Sequence, residues 1–301
     1  MQRFIDDFLE YLEIERNRSA KTLENYRRYL VRFAAFARIA HPNNITQDLV
    51  RRYRVFLNRI EDERGQKLKK ITQMYHVIAL RAFLKFCAKR GITTLAAETV
   101  ELGKTPERTM EFLDAAEVER LLAAPKTGTV SGLRDAAILE TLFSTGTRVS
   151  ELVALDRAHV NLKTGEFGVL GKGGKLRVVF LSASAQDAIA RYLKERTDIH
   201  DALFVDHRGR PEKKTASRLT PRSIQRMIKK YAVAAGIVKK VTPHQLRHSF
   251  ATDLLQGGAD IRSVQAMLGH ASITTTQVYT HYTDKHLKEV HHRFHRTKNR
   301  L

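Results

Sequence analysis

The stretch Phe167-Gly168-Val169-Leu170-Gly171-Lys172-Gly173-Gly174-Lys175-Leu176-Arg177-Val178-Val179-Phe180-Leu181 decides the fold class of this 301-residue chain. Phe167–Leu170 and Arg177–Leu181 are rich in β-formers. The glycine-rich run Gly171–Lys175 between them reads as the turn of a hairpin. Almost everything around it carries helical periodicity. Downstream, the segments Ala183–Lys194, Pro221–Ala234 and His244–Leu255 space their apolar residues as helices do, and upstream Arg134–Leu142 reads as a buried helix. The expectation is a mainly α protein with a small β-hairpin.

The N-terminal third is helical throughout. Phe4, Phe8, Leu9 and Leu12 share one helix face. Ser19 suits an N-cap for a second helix whose apolar face is Leu23, Tyr26, Leu30, Phe33 and Ala37. Thr46 caps a third, with Leu49, Tyr53, Phe56 and Leu57. Glu61–Lys70 is charged and holds Gly65, so it reads as a loop. Thr72–Lys89 is a fourth helix, stopped by Gly91. Periodicity lapses between Thr99 and Thr109, where Glu101, Gly103, Lys104, Pro106 and Glu107 mark a linker. It resumes at Asp114, with Glu117 placed to complete a capping box. Two domains are therefore expected, over residues 1–103 and 109–301.

Composition narrows the function. Hydrophobic residues make up 43% of the chain, enough to bury cores and to exclude a disordered protein. Fifty-three Lys and Arg against 32 Asp and Glu leave a net charge of +21, which points to a polyanionic partner, and nucleic acid first. Lys21, Arg27, Arg28, Arg51, Arg52, Arg54, Lys69, Lys70, Arg81 and Lys85 line the polar faces of the N-terminal helices and suit a phosphate backbone. The single cysteine, Cys87, cannot form an intrachain disulfide and reads as a small core residue. The acidic start of the chain is unlike a signal peptide, and no apolar run is long enough for a membrane span, so a cytoplasmic location is expected.

Several residues carry chemistry. In Thr242-Pro243-His244-Gln245, Thr242 suits an N-cap, Pro243 the first helical position, and Gln245 a capping box. His244 and Arg247 then project from one face near the positive end of a helix, a good place for a phosphate. Arg148 follows the break at Gly146, and Glu151, three residues on, can orient it or form a simple helical ion pair. Lys172 sits at the hairpin tip between glycines, with Lys175 second for the same role. His270 follows Gly269, which reads as a C-cap. Tyr279 and Tyr282 are both candidate nucleophiles on spacing. No glycine-rich nucleotide loop of P-loop form and no carboxylate cluster suited to Mg²⁺ occurs. The tail histidines His286, His291, His292 and His295 lack the cysteines or second ligand group of a zinc site and read as a basic solvated helix.

The strings Thr145-Gly146-Thr147-Arg148-Val149-Ser150-Glu151-Leu152, His244-Gln245-Leu246-Arg247-His248-Ser249-Phe250-Ala251-Thr252, Leu268-Gly269-His270-Ala271-Ser272 and Tyr279 stand in an order that resembles the tyrosine recombinase (integrase) family, above all its Xer branch. The similarity extends to Ser19–Tyr26, typical of the family's N-terminal bundle. It implies a SAM-like core-binding domain ahead of a mostly α catalytic domain. It implies Tyr279 as nucleophile, forming a 3′-phosphotyrosyl link, with Arg148 and Arg247 clamping the phosphate. Lys172 resembles the general acid, and His244 and His270 the groups that hold the phosphate and help move the proton. His281 and Tyr282 lie just beyond the family position. No cofactor is implied, neither metal nor ATP. The partners implied are a double-stranded DNA recombination site, further protomers in a homotetramer or a heterotetramer with a paralogous recombinase, and a DNA translocase as activator. A C-terminal helix with Leu287, Val290 and Phe294 on one face would dock into the next protomer. The competing readings are a phage or mobile-element integrase, a type IB topoisomerase, and a non-catalytic DNA-binding protein of the same fold.

Overall fold

The computed structural model describes residues 1–61, 65–103, 112–171, 176–207 and 217–269. The chain divides into two compact units, Met1–Thr109 and Met110–Leu301.

The first unit is a bundle of four helices, α1 (Gln2–Ile14), α2 (Ala20–Ala37), α3 (Gln47–Arg59) and α4 (Lys70–Lys89). Local chemistry sets their ends. Ser19 Oγ accepts from the Thr22 N–H and Thr46 Oγ1 from the Leu49 N–H, satisfying amides that a helix start leaves open. Gly91, at φ +71°, turns the chain out of α4. Helix α4 begins at Lys70, two residues before the expected Thr72. The core fills with the residues the periodicity selects. Phe8, 1% exposed, meets Phe83 edge-on with ring centroids 5.7 Å apart and Phe86 at 5.3 Å. Tyr29 joins the buried face of α2 beside Leu30 and Phe33. Cys87 is fully buried, and burial pushes its thiol up to about 12, so it packs as a small apolar group.

The second unit builds its core from α5 (Ala115–Ala123), α6 (Val130–Thr145), α7 (Val149–Val153), the hairpin strands β1 (Glu166–Leu170) and β2 (Leu176–Phe180), α8 (Ala183–Glu195) and α9 (Pro221–Ala234). Two short strands, β3 (Val205–Asp206) and β4 (Ser217–Arg218), form a second small ladder. Helix α10 (Pro243–Gln256) packs on α6 and on α11 (Ile261–Leu268). Asp114 and Glu117 form the expected capping box of α5, each side chain accepting from the other's backbone N–H. At α10 only half of the expected box forms. Thr242 Oγ1 accepts from the Gln245 N–H at 3.3 Å, while Gln245 Oε1 accepts from the Thr242 hydroxyl rather than from its backbone.

The hairpin is antiparallel, pairing Phe167 with Val179, Val169 with Arg177 and Leu170 with Leu176. Its burial alternates: Phe167, Val169 and Val179 face the core, while Leu170, Leu176, Val178 and Phe180 are exposed. Arg177 therefore stands in the register that faces inward, a position that demands a partner for its charge.

Helix α6 ends at Gly146, where the left-handed backbone (φ +57°) reverses the chain just ahead of Arg148. A Cβ there would strike the Phe250 ring of α10. Gly146→Ala is expected to destabilise the protein by more than about 1 kcal/mol, since alanine meets both an unfavourable φ and a packed ring. Urea unfolding followed by circular dichroism measures the loss, and an unchanged midpoint would contradict it.

Candidate active site

Arg148 is the N-cap of α7, the residue at which backbone still extended (φ −71°, ψ 149°) turns helical. Its backbone N–H donates to Glu151 Oε2 and its Nη1 to Glu151 Oε1, both at 2.8 Å. The expected i,i+3 ion pair is therefore present, but it is part of a larger arrangement. The Glu151 side chain is only 6% exposed, and a second guanidinium closes on it from β2. Arg177 Nη1 reaches Glu151 Oε1 at 3.0 Å and Nη2 reaches Oε2 at 2.7 Å. Each carboxylate oxygen thus accepts twice, which fills the hydrogen-bonding capacity of the group.

The charge state of Glu151 follows. Burial alone would raise its pKa. The Arg177 fork, the Arg148 N–H, the Arg148 guanidinium and the Arg177 charge together outweigh that and hold it at about 2. Glu151 is a permanent anion at neutral pH. Arg148 keeps its own charge partly open to solvent, its side chain 38% exposed, so it can meet an outside anion while Glu151 holds it from behind.

Arg247 is placed differently. It sits on the first turns of α10 and is 2% exposed. Its Nη1 donates to the Gly146 carbonyl and its Nη2 to the Leu268 carbonyl, each at 2.6 Å. One guanidinium thereby ties three chain ends: the C-cap of α6 two residues before Arg148, the start of α10, and the last residue of α11. Gly269, at φ +64°, is the C-cap of α11, as the sequence predicts.

His244 stands one turn ahead of Arg247, its ring 4.3 Å from that of His248 in an edge-to-face arrangement. Its pKa is lowered, first by burial and then by the charges of Arg247 and Arg148. His244 lies one turn before Arg247 on α10, and Arg247 is bonded to the carbonyl of Gly146, two residues before Arg148, so the ring shares this corner of the fold and, with its pKa lowered, is neutral at physiological pH.

The described residues therefore bring together Arg148, Glu151, His244 and Arg247. Lys172 with its alternative Lys175, His270, Tyr279, His281 and Tyr282 lie outside the described residues. So do the tail histidines His286, His291, His292 and His295 and the apolar set Leu287, Val290 and Phe294. The flanks of these segments are described: β1 ends at Leu170, β2 begins at Leu176, and Gly269 precedes His270. Among the described residues no group of three or more His, Cys, Asp or Glu side chains is arranged to hold a metal ion. Arg177 was not singled out by the sequence motifs. Only the strand register, seen in the structure, puts it opposite Val169 on the inward face.

Glu151 contributes stability as an anion. A depressed carboxylate stabilises fully above its unfolded value, near 4.5, and that contribution is lost as pH falls toward about 2. The shift corresponds to something on the order of 3 kcal/mol. The stability difference between the wild-type chain and Glu151→Gln should be largest above pH 4.5 and shrink progressively below it. Urea midpoints measured across this range test the point; a difference independent of pH would contradict it.

Comparison with known proteins agrees along the whole chain. Residues 111–286 match the phage integrase family, and residues 5–91 match the phage integrase N-terminal SAM-like domain. The chain is 38% identical to tyrosine recombinase XerD of Oceanobacillus iheyensis, over 97% of each protein. It is 38% identical to tyrosine recombinase XerC of Pelobacter propionicus, over 96% of this chain and 93% of the relative. Among solved structures, that of XerA recombinase superposes with a TM-score of 0.54 at 33% identity, covering 99% of both chains. The chain belongs to the phage integrase family, the tyrosine recombinases.

Proposed function

We propose that this chain is a site-specific DNA recombinase of the Xer type, cleaving and rejoining strands through a covalent bond between protein and DNA. The observation that carries the reading is the convergence of Arg148, Arg247 and His244 at the joined ends of α6, α10 and α11. This lies within a chain similar over nearly its full length to recombinases of both Xer names.

The chemistry follows from the residue types. Arg148 and Arg247 supply two charged, planar donors for the non-bridging oxygens of a phosphodiester. The Tyr279 oxygen attacks phosphorus, the P–O bond to the tyrosine forms, and the P–O5′ bond breaks. The tyrosine proton passes to solvent through His244 and His270, and Lys172 gives a proton to the departing 5′-oxygen. Burial is the first cause of the lowered His244 pKa, and a phosphate arriving at the arginines offsets the second, the charges of Arg247 and Arg148, which favours the imidazole taking a proton. Reversal of the same steps, with a 5′-hydroxyl from another strand as nucleophile, joins the exchanged strands. The phosphotyrosyl bond conserves the energy of the phosphodiester, so ATP is not required.

Residues 1–103 form the core-binding domain, laying a basic helical surface on the duplex. Residues 109–301 form the catalytic domain. Exposed Arg28, Lys69 and Lys70 are suited to phosphate contact, whereas Arg51 and Arg52 spend part of their charge on Asp48 and Arg27 on Asp6. Recombination then takes a tetramer on two DNA sites, through a Holliday junction. Similarity to relatives of both Xer names fits four copies of this chain or pairs formed with a paralogous recombinase. The role is resolution of chromosome or plasmid dimers in the cytoplasm, with a DNA translocase as activator. Among the described residues no helix is long and apolar enough to cross a membrane.

A nicked duplex that traps the covalent step tests the chemistry. Its binding site is first recovered by selection from random duplexes. The wild-type chain should give a band at the mass of protein plus DNA strand. Tyr279→Phe should give none, and Arg148→Ala or Arg247→Ala should slow its formation by about 10² to 10³-fold. An undiminished band from Tyr279→Phe would reject the assignment. Duplex affinity should also fall by at least tenfold between about 50 and 200 mM salt, as counterions are released from each neutralised phosphate. A salt-independent affinity would contradict a backbone-led interface.

A further inference from the structure

Arg177 has no part in the chemistry just described, yet it grips the carboxylate behind Arg148 with two nitrogens. Its side chain is 11% exposed. Two of its nitrogens grip both oxygens of Glu151, and its Nε donates to the Met267 carbonyl at 3.1 Å. Three separate elements meet on this one guanidinium: β2, which begins four residues after Lys172; α7, which carries Glu151 behind Arg148; and the last turn of α11, which ends two residues before His270. The packing is close, since a Cβ added at Gly269 would lie 3.0 Å from Arg177 Cδ.

The energetics explain why arginine fits this position. A strand residue facing the core of a small ribbon is normally apolar, and an inward charge is costly unless paired. Here the pairing is bidentate, and the remaining edge of the fork satisfies a carbonyl that the C-terminus of α11 would otherwise leave open. Lysine could match the charge but not the three directed bonds.

We propose that Arg177 is a positioning residue for strand cleavage: it fixes Glu151, and through it Arg148, in register with the hairpin and the end of α11. The inference rests on the recombinase reading above. It assigns to Arg177 no contact with DNA. Glu151 links the two arginines, and the charged or titratable groups around it among the described residues are Arg148 at the start of its own helix, Arg177 on β2 and His159, which lines the same cavity.

The test separates binding from chemistry. Arg177→Gln and Arg177→Lys are compared with the wild-type chain for duplex affinity and for the single-turnover rate of covalent-complex formation at saturating protein. Affinity should stay within about threefold for both variants. The rate should fall about 100-fold in Arg177→Gln and about tenfold in Arg177→Lys, which keeps the charge without the fork. Glu151→Gln combined with Arg177→Gln should be no slower than the slower single variant, because both act through the same contact. Wild-type rate in Arg177→Gln would overturn the proposal, as would losses in rate matched by losses in affinity, or additive effects in the double variant. If Arg177→Gln unfolds, Arg177→Lys decides, a slow folded protein supporting the role and a wild-type rate refuting it. Unfolding of both would make Arg177 a stability residue and overturn the assignment. A wild-type chain that forms no covalent complex would instead defeat the functional reading itself.

Discussion

A carboxylate buried in a protein must be matched by charge, and Glu151 is matched twice. That constraint organises the second unit. The anion holds the Arg148 backbone and side chain on one side and the Arg177 fork on the other. Arg148 could not project from a helix start with a fixed direction if the carboxylate behind it were mobile or protonated. A complementary tie comes from Arg247, whose guanidinium joins the carbonyls of Gly146 and Leu268. The buried Arg247, the part-buried Arg177 and the buried Glu151 thus bring together elements up to about a hundred residues apart in sequence.

The same residues explain how a very basic protein holds charged side chains in fixed directions. In the proposed chemistry, fixed guanidinium charges stabilise the charge that develops on phosphorus without having to reorganise at the moment of reaction. Burial first, and then the charges of Arg247 and Arg148, lower the His244 pKa and keep the ring neutral. Placing the charges before the substrate arrives carries a cost in folding, and the buried pairing of Glu151 offsets part of it. The structure of the site and the stability of the domain are therefore linked through one contact.

Much of this was legible in the residues. Caps at Ser19, Thr46, Asp114 and Thr242 announce helix starts because side-chain oxygens there accept from amides the helix cannot satisfy. Gly146 and Gly269 announce helix ends because only glycine takes the left-handed backbone at little cost. The hairpin was plain from its β-rich arms and glycine-rich turn. Less legible were contacts between elements distant in sequence. Helix α11 is only eight residues long, and its cap at Asp260 was not recognised. The β3–β4 ladder has two residues per strand, too few for alternation to show. The motif order named Arg148, Glu151, His244 and Arg247, and the fold brings all four together. It gave no hint that Arg247 would be bonded to two backbone carbonyls. Arg177 was hidden because a charged residue in a strand reads as solvent-facing unless the register of the ribbon is known.

The central claim is that one tyrosine hydroxyl is delivered to a phosphate held by Arg148 and Arg247. Mass spectrometry of the protease-digested covalent complex tests it most directly, by locating the nucleotide-bearing side chain. The account predicts a 3′-phosphoryl adduct on Tyr279 and an unmodified Tyr282. An adduct on any other residue, Tyr282 included, would contradict it.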